Sequence, residues 1–231
     1  MRYDKIVKGI FLNRPNRFIA KVLVDGKEHE VHVKNTGRCK ELLVEGCTVF
    51  LEKSENKNRK TAFDLVATVK HTEAGEALLI NMDSQKVNDA AFEWLKKAKL
   101  FSSDANIYRE VTFDNSRFDF CVEEKGKKSF LEVKGVTLEE NGVAMFPDAP
   151  TERGLKHINE LCKCVSQGYG AYILFVVQMK GIYLFKPNVK THKAFADALR
   201  KAESCGVKVL VYDCIVGEDF MEIDKKVKYE I

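Results

Sequence analysis

The sequence has no long apolar run, no apolar leader and no cysteine framework. Its longest strongly apolar stretch, residues 171–177, is far too short to span a bilayer, and the residues after Met1 are polar. The seven cysteines show no paired spacing, and Cys162 and Cys164 would point in different directions on a helix. Reduced, mostly buried thiols are expected, so these features predict a cytoplasmic protein with no membrane association.

The net charge is also small, and the basic residues are unevenly distributed. The net charge of +4 over 231 residues is too small to establish a polyanionic partner. Residues 1–70 nevertheless carry 15 Lys and Arg against nine Asp and Glu. A basic N-terminal third suits either a nucleic-acid partner or a solvated basic surface. With 45% hydrophobic residues, the chain can bury the core of one large domain or two small ones.

The first 81 residues show the pattern of an all-β unit. Strands are expected near 5–12, 17–24, 28–34, 46–52, 62–70 and 76–81. Asp25-Gly26 is a strong hairpin turn between the second and third strands, and a short helix is expected at 37–44, closed by Gly46. This order fits a small Greek-key barrel of the OB type, with a small sandwich as the alternative.

From about residue 83 the hydrophobic period becomes helical, with Val87, Ala91, Trp94 and Leu95 on one face. The elements expected after this helix are strands 107–113, 117–123 and 128–134, helix 152–167, strands 171–177 and 181–186, helix 191–204 and strand 207–212. A hairpin followed by strand–helix–strand units predicts a mixed sheet. We therefore expect an α/β (α+β) protein with an OB-like barrel over 1–81 and a mixed-sheet domain over 82–231.

The most informative feature is a predicted hairpin that turns at Lys125-Gly126. Counted outward from that turn, Glu124 faces Lys127 and Phe120 faces Leu131. Opposite charges at the tip favour this register, because directly opposed charges of opposite sign stabilise a sheet. The same register brings two acidic residues face to face one step further along the strands.

Those residues are Asp119 and Glu132. Two carboxylates roughly 5 Å apart coexist only if one is protonated or a cation lies between them. Alternation along the strand puts Lys134 on the same face as Glu132. The opposite face is expected to carry Phe118, Phe120, Leu131 and Val133.

This arrangement predicts a divalent-metal site that hydrolyses a phosphodiester. Asp119 and Glu132 would bind Mg²⁺ or Mn²⁺, and the carbonyl of Val133 is a natural third ligand. Lys134 would orient the attacking water or stabilise charge on the phosphate. Paired carboxylates also serve glycosidases, and an alternating Glu132–Lys134 pair also occurs on ordinary exposed strands.

Four motifs resemble those of the sugar fermentation stimulation protein A family. They are Asn35-Thr36-Gly37-Arg38, Ser116-Arg117-Phe118-Asp119-Phe120, Glu132-Val133-Lys134-Gly135-Val136-Thr137-Leu138 and Phe146-Pro147-Asp148-Ala149-Pro150-Thr151-Glu152-Arg153-Gly154. The resemblance covers essentially the whole chain, although Lys34 stands where the family usually has proline. It implies a bacterial or archaeal cytoplasmic protein with an OB-like domain and a PD-(D/E)XK nuclease-like domain.

The resemblance also implies DNA binding, a DNA or RNA nuclease activity and a regulatory link to sugar (maltose) metabolism. It maps the metal-binding acid of the nuclease pattern onto Asp119, and the E-x-K pair onto Glu132 and Lys134. Glu110 is a candidate for an additional metal ligand, against an ordinary surface role. Two functions stay open: a metal-dependent nuclease, and a DNA-binding regulator without catalysis.

Further side chains are candidates for contact with nucleic acid. Arg153 and His157 are four residues apart on one helix, so they share a face and would contact a scissile phosphate if that face looks toward the metal. The candidates for binding the phosphate backbone are Arg14, Arg17, Lys34, Asn35, Arg38, Lys40, Arg59, Lys60 and Arg117. Phe11, Phe18 and Phe63 either stack on bases or belong to the core. His32 is expected to be structural, and Asn35 to Arg38 to form an anion-binding corner at a helix start.

Overall fold

A computed structural model describes residues 1–35, 37–56, 58–73 and 75–231. Its N-terminal part is a single twisted sheet whose neighbouring strands are antiparallel, in the order β3-β2-β1-β4-β5-β6. The strands are β1 (Ile6–Asn16), β2 (Ile19–Val24), β3 (Lys27–Val33), β4 (Thr48–Lys53), β5 (Phe63–His71) and β6 (Ala77–Asn81). The β2–β3 hairpin turns at Asp25 and Gly26, both with positive φ, as the sequence predicts.

Parallel pairing of β3 with β5 closes this sheet into a barrel. His32 lies opposite Asp64, and Val33 lies opposite Leu65. Alternate side chains of the strands, including Val31 and Leu51, are fully buried inside. The closure confirms the predicted barrel and excludes the alternative of a small sandwich.

The short helix predicted at 37–44 is wrong, since these residues form turns. Cys39 has φ 45°, in the left-handed region that a right-handed helix excludes. The carbonyls of Gly37 and Arg38 accept hydrogen bonds from the Arg14 guanidinium, both at 3.0 Å. The predicted anion-binding corner therefore lacks its helix, and its residue Thr36 lies outside the described residues.

Helix α1 (Val87–Lys97) joins the barrel to the second part of the chain, as predicted. Its buried face packs on a six-stranded mixed sheet of order β15-β14-β12-β9-β8-β7. The strands of this sheet are β7 (Asn106–Phe113), β8 (Ser116–Glu124), β9 (Lys127–Val136), β12 (Gly170–Val177), β14 (Lys208–Val216) and β15 (Met221–Lys226). Strand β12 is central and buried from residue 171 to 177, as its unbroken apolar run predicts.

The opposite face of the sheet is covered by α2 (Glu152–Ser166) and α3 (Val189–Ser204). The Thr151 hydroxyl caps α2 by accepting from the Gly154 N–H at 3.0 Å. A second sheet, absent from the sequence-based prediction, contains β10 (Leu138–Glu140), β11 (Val143–Phe146), β13 (Leu184–Pro187) and β16 (Lys228–Tyr229). The strand predicted at 181–186 thus belongs to this small sheet. None of the described helices is long and apolar enough to cross a membrane.

A cluster of aromatic rings packs the six-stranded mixed sheet against the small sheet of β10, β11, β13 and β16. Phe175 on β12 is fully buried, and the centroid of its ring lies 4.5 Å from that of Phe185 on β13 and 5.7 Å from that of Phe146 on β11.

We expect Phe175→Ala to lower the free energy of unfolding by about 3–5 kcal/mol, because it removes this packing and leaves a cavity. Urea denaturation followed by circular dichroism measures the change. Tyr183→Ala, at a side chain that is 64% exposed, is the control, and a loss below about 1 kcal/mol at Phe175 would contradict this assignment of the core.

Candidate metal centre

The hairpin of β8 and β9 has the predicted register from its turn as far as Phe120 and Leu131, but the predicted pairing of Asp119 with Glu132 is not part of the described ladder. It turns at Lys125 and Gly126, and Glu124 faces Lys127 while Phe120 faces Leu131. Paired residues end at Phe120 and Leu131. One step beyond, the two strands are linked by a side chain, because the Asp119 carboxylate accepts a hydrogen bond from the Val133 N–H at 2.7 Å.

The predicted apolar face is correct for three residues and wrong for the fourth. Phe120, Leu131 and Val133 pack together on the α1 side of the sheet. Phe118 instead packs on the α2 side, 5.6 Å from the Phe130 ring. Alternation along β8 is therefore interrupted around Asp119, next to the β7 residue Glu110, whose φ is 55°.

Glu132 is a buried carboxylate with unequal oxygens. Its Oε1 accepts from Lys134 Nζ at 2.5 Å and is hydrogen-bonded to Nδ1 of His157, a buried residue of α2. Its Oε2 is buried and has no hydrogen-bond partner among the described residues. Burial opposes ionisation, but the hydrogen bonds and charges of His157 and Lys134 outweigh it and hold the pKa of Glu132 below its usual range.

Asp119 has the opposite electrostatic character. Its Oδ1 accepts from Asn88 Nδ2 of α1 at 2.8 Å, and its Oδ2 binds the Val133 amide. Burial and the nearby charge of Glu132 raise the pKa of Asp119, against these two hydrogen bonds. Asn88 was not anticipated, since no local pattern links it to a residue 31 positions away. The two acids are thus electrostatically coupled, and the charge of Lys134 opposes the rise in the pKa of Asp119 without cancelling it.

The other predicted metal ligands differ in position. The N–H and C=O of a strand residue point to the same edge, so the Val133 carbonyl faces the β8 side, where Asp119 lies. Glu110 is exposed, and its carboxylate pairs with Arg117 at 3.2 Å rather than joining the two acids. Within the described ranges, no three His, Cys, Asp or Glu side chains are grouped to hold a metal. The centre therefore offers two carboxylates and a backbone carbonyl.

Of the two predicted phosphate contacts on α2, only His157 reaches the centre. It contacts Glu132 and lies beside the Phe118 ring, whereas Arg153 is exposed in the first turn of the helix. His157 thus orients the carboxylate instead of facing solvent. As phosphate contacts, Arg153 and the exposed Arg117 stay predictions.

Three predicted phosphate-binding cations of the barrel have internal partners. Arg14 donates to four backbone carbonyls, including that of Asn35 at 2.7 Å. Arg59 forms two hydrogen bonds to the buried Asp64 at 2.5 and 2.9 Å, and Lys34 lies 3.1 Å from the same carboxylate. These side chains organise the barrel, so they are poorly placed to bind phosphate.

The remaining candidates of the barrel divide by exposure. Arg17, Arg38, Lys40 and Lys60 are exposed, and Phe18 is 50% exposed beside the Arg17 guanidinium. Asn35 is buried, and its Oδ1 accepts from the Gly37 N–H at 2.8 Å. Two further aromatics, Phe11 and Phe63, belong to the core. His32 contacts Asp64 at 3.1 Å, which agrees with its predicted structural role.

Comparison with known families assigns both parts of this architecture. Residues 12–79 match the SfsA N-terminal OB domain, and residues 85–220 match the sugar fermentation stimulation protein RE domain. The chain belongs to the sugar fermentation stimulation protein family. Its parts are an OB barrel and a restriction-endonuclease-like domain, which confirms the family and fold predicted from the four motifs.

Relatives match over essentially their full length. The sugar fermentation stimulation protein homolog of Ruminiclostridium cellulolyticum is 53% identical over 231 residues, with 100% of both chains covered. The homolog of Desulfitobacterium hafniense strain Y51 is 56% identical over 222 residues, covering 96% of this chain and 95% of its own. The solved structure of Pyrococcus furiosus SfsA in complex with Ca²⁺ superposes with a TM-score of 0.87 at 26% identity, covering 100% of this chain and 98% of that one.

The raised pKa of Asp119 gives a testable dependence of stability on pH. Because this pKa lies above its unfolded value of about 3.9, the unfolded state binds fewer protons and Asp119 lowers stability as pH rises. In the presence of a chelator, Asp119→Asn should therefore become more stable than the wild type between about pH 4 and neutrality. Urea unfolding at a series of pH values measures the difference.

Glu132→Gln is the matched comparison, and its stability should differ from that of the wild type in the opposite direction. The lowered pKa of Glu132 stabilises the wild type above its unfolded value of about 4.3. That advantage over Glu132→Gln should disappear as the pH falls through the folded pKa. Equal pH dependence for both variants, or differences of the same sign, would contradict the opposed electrostatics of the two acids.

Proposed function

We propose that this protein is a divalent-metal-dependent nuclease that hydrolyses phosphodiester bonds in DNA or RNA. The observation that carries the proposal is the buried Oε2 of Glu132, which has no hydrogen-bond partner in the described part of the chain. The charge of Glu132 acts on a second acid, Asp119, whose pKa is raised. A restriction-endonuclease-like domain supplies the framework, and an OB barrel supports contact with nucleic acid. The seven cysteines, all free, support a cytoplasmic location.

The residues of the centre fit Mg²⁺ or Mn²⁺. Both ions prefer oxygen ligands, and Mg²⁺ needs only one or two carboxylates because it retains several waters. Asp119, Glu132 and the Val133 carbonyl would hold the ion. A cation there would satisfy Glu132 Oε2 and relieve the repulsion between the acids. The Ca²⁺ in the Pyrococcus furiosus structure supports this, since Ca²⁺ also takes oxygen ligands.

Each side chain then has a distinct chemical role. When bound, the divalent ion neutralises phosphate charge and lowers the pKa of a coordinated water. Lys134 places its ammonium group beside Glu132, where it donates to the attacking water or to a phosphate oxygen. His157 is a positioning residue, because its hydrogen bond to Oε1 fixes the rotamer that leaves Oε2 available.

The second candidate is a DNA-binding regulator without catalysis, linked to sugar metabolism as the family name suggests. It is supported by the exposed Arg17, Arg38 and Lys40, which line one cavity, and by Phe18 beside Arg17. Such a basic surface needs no metal to attract a phosphate backbone. This reading predicts binding that survives a chelator and weakens with salt. The nuclease reading predicts that the chelator abolishes turnover.

Cleavage assays test the catalytic roles directly. Labelled single- and double-stranded DNA and RNA are incubated with Mg²⁺ or Mn²⁺, with EDTA as the blank. Asp119→Asn, Glu132→Gln and Lys134→Met should each reduce cleavage by about 10² or more, because each removes a group that acts on the transition state. Asp197→Asn and Lys193→Met, at an exposed ion pair on α3, are the matched controls. No cleavage by the wild type, or unchanged cleavage by Asp119→Asn, would contradict the nuclease proposal.

Metal binding is measurable without turnover. Ca²⁺ at 100 times its dissociation constant should stabilise the wild type by about 2.7 kcal/mol, since it binds the folded state only. Calorimetric titration gives the dissociation constant, and urea unfolding gives the stabilisation. Glu132→Gln should lose most of this effect, whereas Asp197→Asn should keep it. Equal stabilisation of Glu132→Gln and the wild type would place the ion elsewhere.

A further inference from the structure

A cavity of about 370 Å³ lies between the OB barrel and the nuclease-like domain. Asn35 and Gly37 of the barrel form one wall, and Gly135 and Thr137, at the end of β9, form another. Residues 146–151, ahead of α2, complete it. Three of the four family motifs therefore meet in this cavity, although none of its lining residues is an acid of the metal centre.

The cavity begins next to the proposed catalytic residues. Gly135, in its wall, directly follows Lys134 on β9. A Cβ at Gly135 would lie 2.4 Å from Gln178 Oε1, so only glycine permits this close approach. The Gln178 amide is fixed by hydrogen bonds to the Asn81 carbonyl and side chain at 3.0 and 3.1 Å. The wall beside the centre is therefore rigid and belongs to both domains.

The barrel side of the cavity opens into a basic surface. A second cavity of about 510 Å³ shares Arg17, Gly37 and Ala149 with the first, and Arg38 and Lys40 also line it. No acidic side chain lines this second cavity within the described part of the chain. Phe18 is half exposed next to Arg17. Cations alongside an exposed aromatic ring are typical of surfaces that bind single strands.

The first cavity differs from the adjoining basic surface because an acidic residue, Asp148, lines it. Asp148 lies so close to Gly37 that a Cβ there would be 2.1 Å from its Oδ2. A carboxylate repels phosphate but accepts hydrogen bonds from the amino groups of bases. The volume lies in the range of small-ligand pockets and suits one nucleoside. A duplex cannot place a base there, because its bases are enclosed between two backbones.

We propose that this protein takes single-stranded nucleic acid, with one unpaired nucleoside in the interdomain cavity and the neighbouring phosphates on the basic surface of the barrel. The inference rests on the proposed nuclease function, since it places the scissile phosphate beside Lys134. Single-stranded DNA and RNA both present unpaired nucleosides on a phosphodiester chain. The test therefore measures the two kinds of strand separately.

Binding of labelled 12-nucleotide DNA and RNA strands, and of blunt duplexes made from the same strands and their complements, is measured by fluorescence anisotropy in EDTA and in Ca²⁺. The wild type should bind at least one single strand tenfold or more tightly than its duplex. Ala149→Trp, at the junction of the two cavities, should weaken single-strand binding at least tenfold. Ala194→Trp, at an exposed alanine of α3, is the matched control and should stay within twofold.

Thermal melting shows whether the Ala149→Trp protein is folded. If it is not, the single-strand affinity of Arg17→Glu tests the inference in its place. Arg17→Glu adds no bulk to the cavity and should weaken single-strand binding fivefold or more. Duplexes bound as tightly as single strands, or wild-type affinity in a folded Ala149→Trp protein, would overturn the inference even if the protein cleaves. Single-strand binding that depends on Ala149 in a protein that cleaves nothing would instead support the cavity and refute the nuclease.

Discussion

The buried carboxylate of Glu132 is the constraint on which the rest of the site depends. A buried charge is costly unless it is paired and hydrogen-bonded, and here one oxygen receives both available partners. His157 from α2 and Lys134 from the same strand are therefore required on Oε1. The other oxygen has no hydrogen-bond partner among the described residues, and in the proposed nuclease it binds the metal ion. Asp119, held by Asn88 and the Val133 amide, completes the metal centre that we propose.

The barrel and the nuclease-like domain are joined by buried polar contacts. Lys70 Nζ binds the Glu139 carboxylate and carbonyl at 2.5 and 2.6 Å, and Gln178 binds Asn81. Lys34 reaches Asp83 Oδ2 at 3.4 Å across the same junction. Such contacts are costly to break, because each would leave a buried polar group unpaired. The junction therefore fixes the cavity between the domains relative to the metal centre.

Sequence reasoning succeeded where the physics is local. Alternation, the Asp25-Gly26 turn and the charges at the Lys125-Gly126 turn were enough to predict the barrel hairpin and the β8–β9 register. Short edge strands such as β10 and β16 carry too few residues to show a period. The turns at 37–44 escaped prediction because they depend on Arg14, which lies more than 20 residues earlier.

Long-range partners also explain why the sequence could not show the surroundings of the predicted site residues. Lys34 and Arg59 look like phosphate ligands in sequence, but both pair with Asp64. The change of face between Phe118 and Phe120 breaks the alternation rule that placed them together. Asp119, Glu132 and Lys134 could be proposed together from the sequence because one hairpin carries all three. Asn88 and the His157–Glu132 contact depend on helices that only the tertiary fold brings to that hairpin.

The most direct measurement is the anomalous scattering of a crystal soaked in Mn²⁺. The account predicts a manganese peak bound by Glu132 Oε2 and an Asp119 oxygen, with His157 still on Glu132 Oε1. A well-ordered crystal saturated with Mn²⁺ that shows no peak at these two carboxylates, or shows Oε2 bonded to a protein group instead, would contradict it.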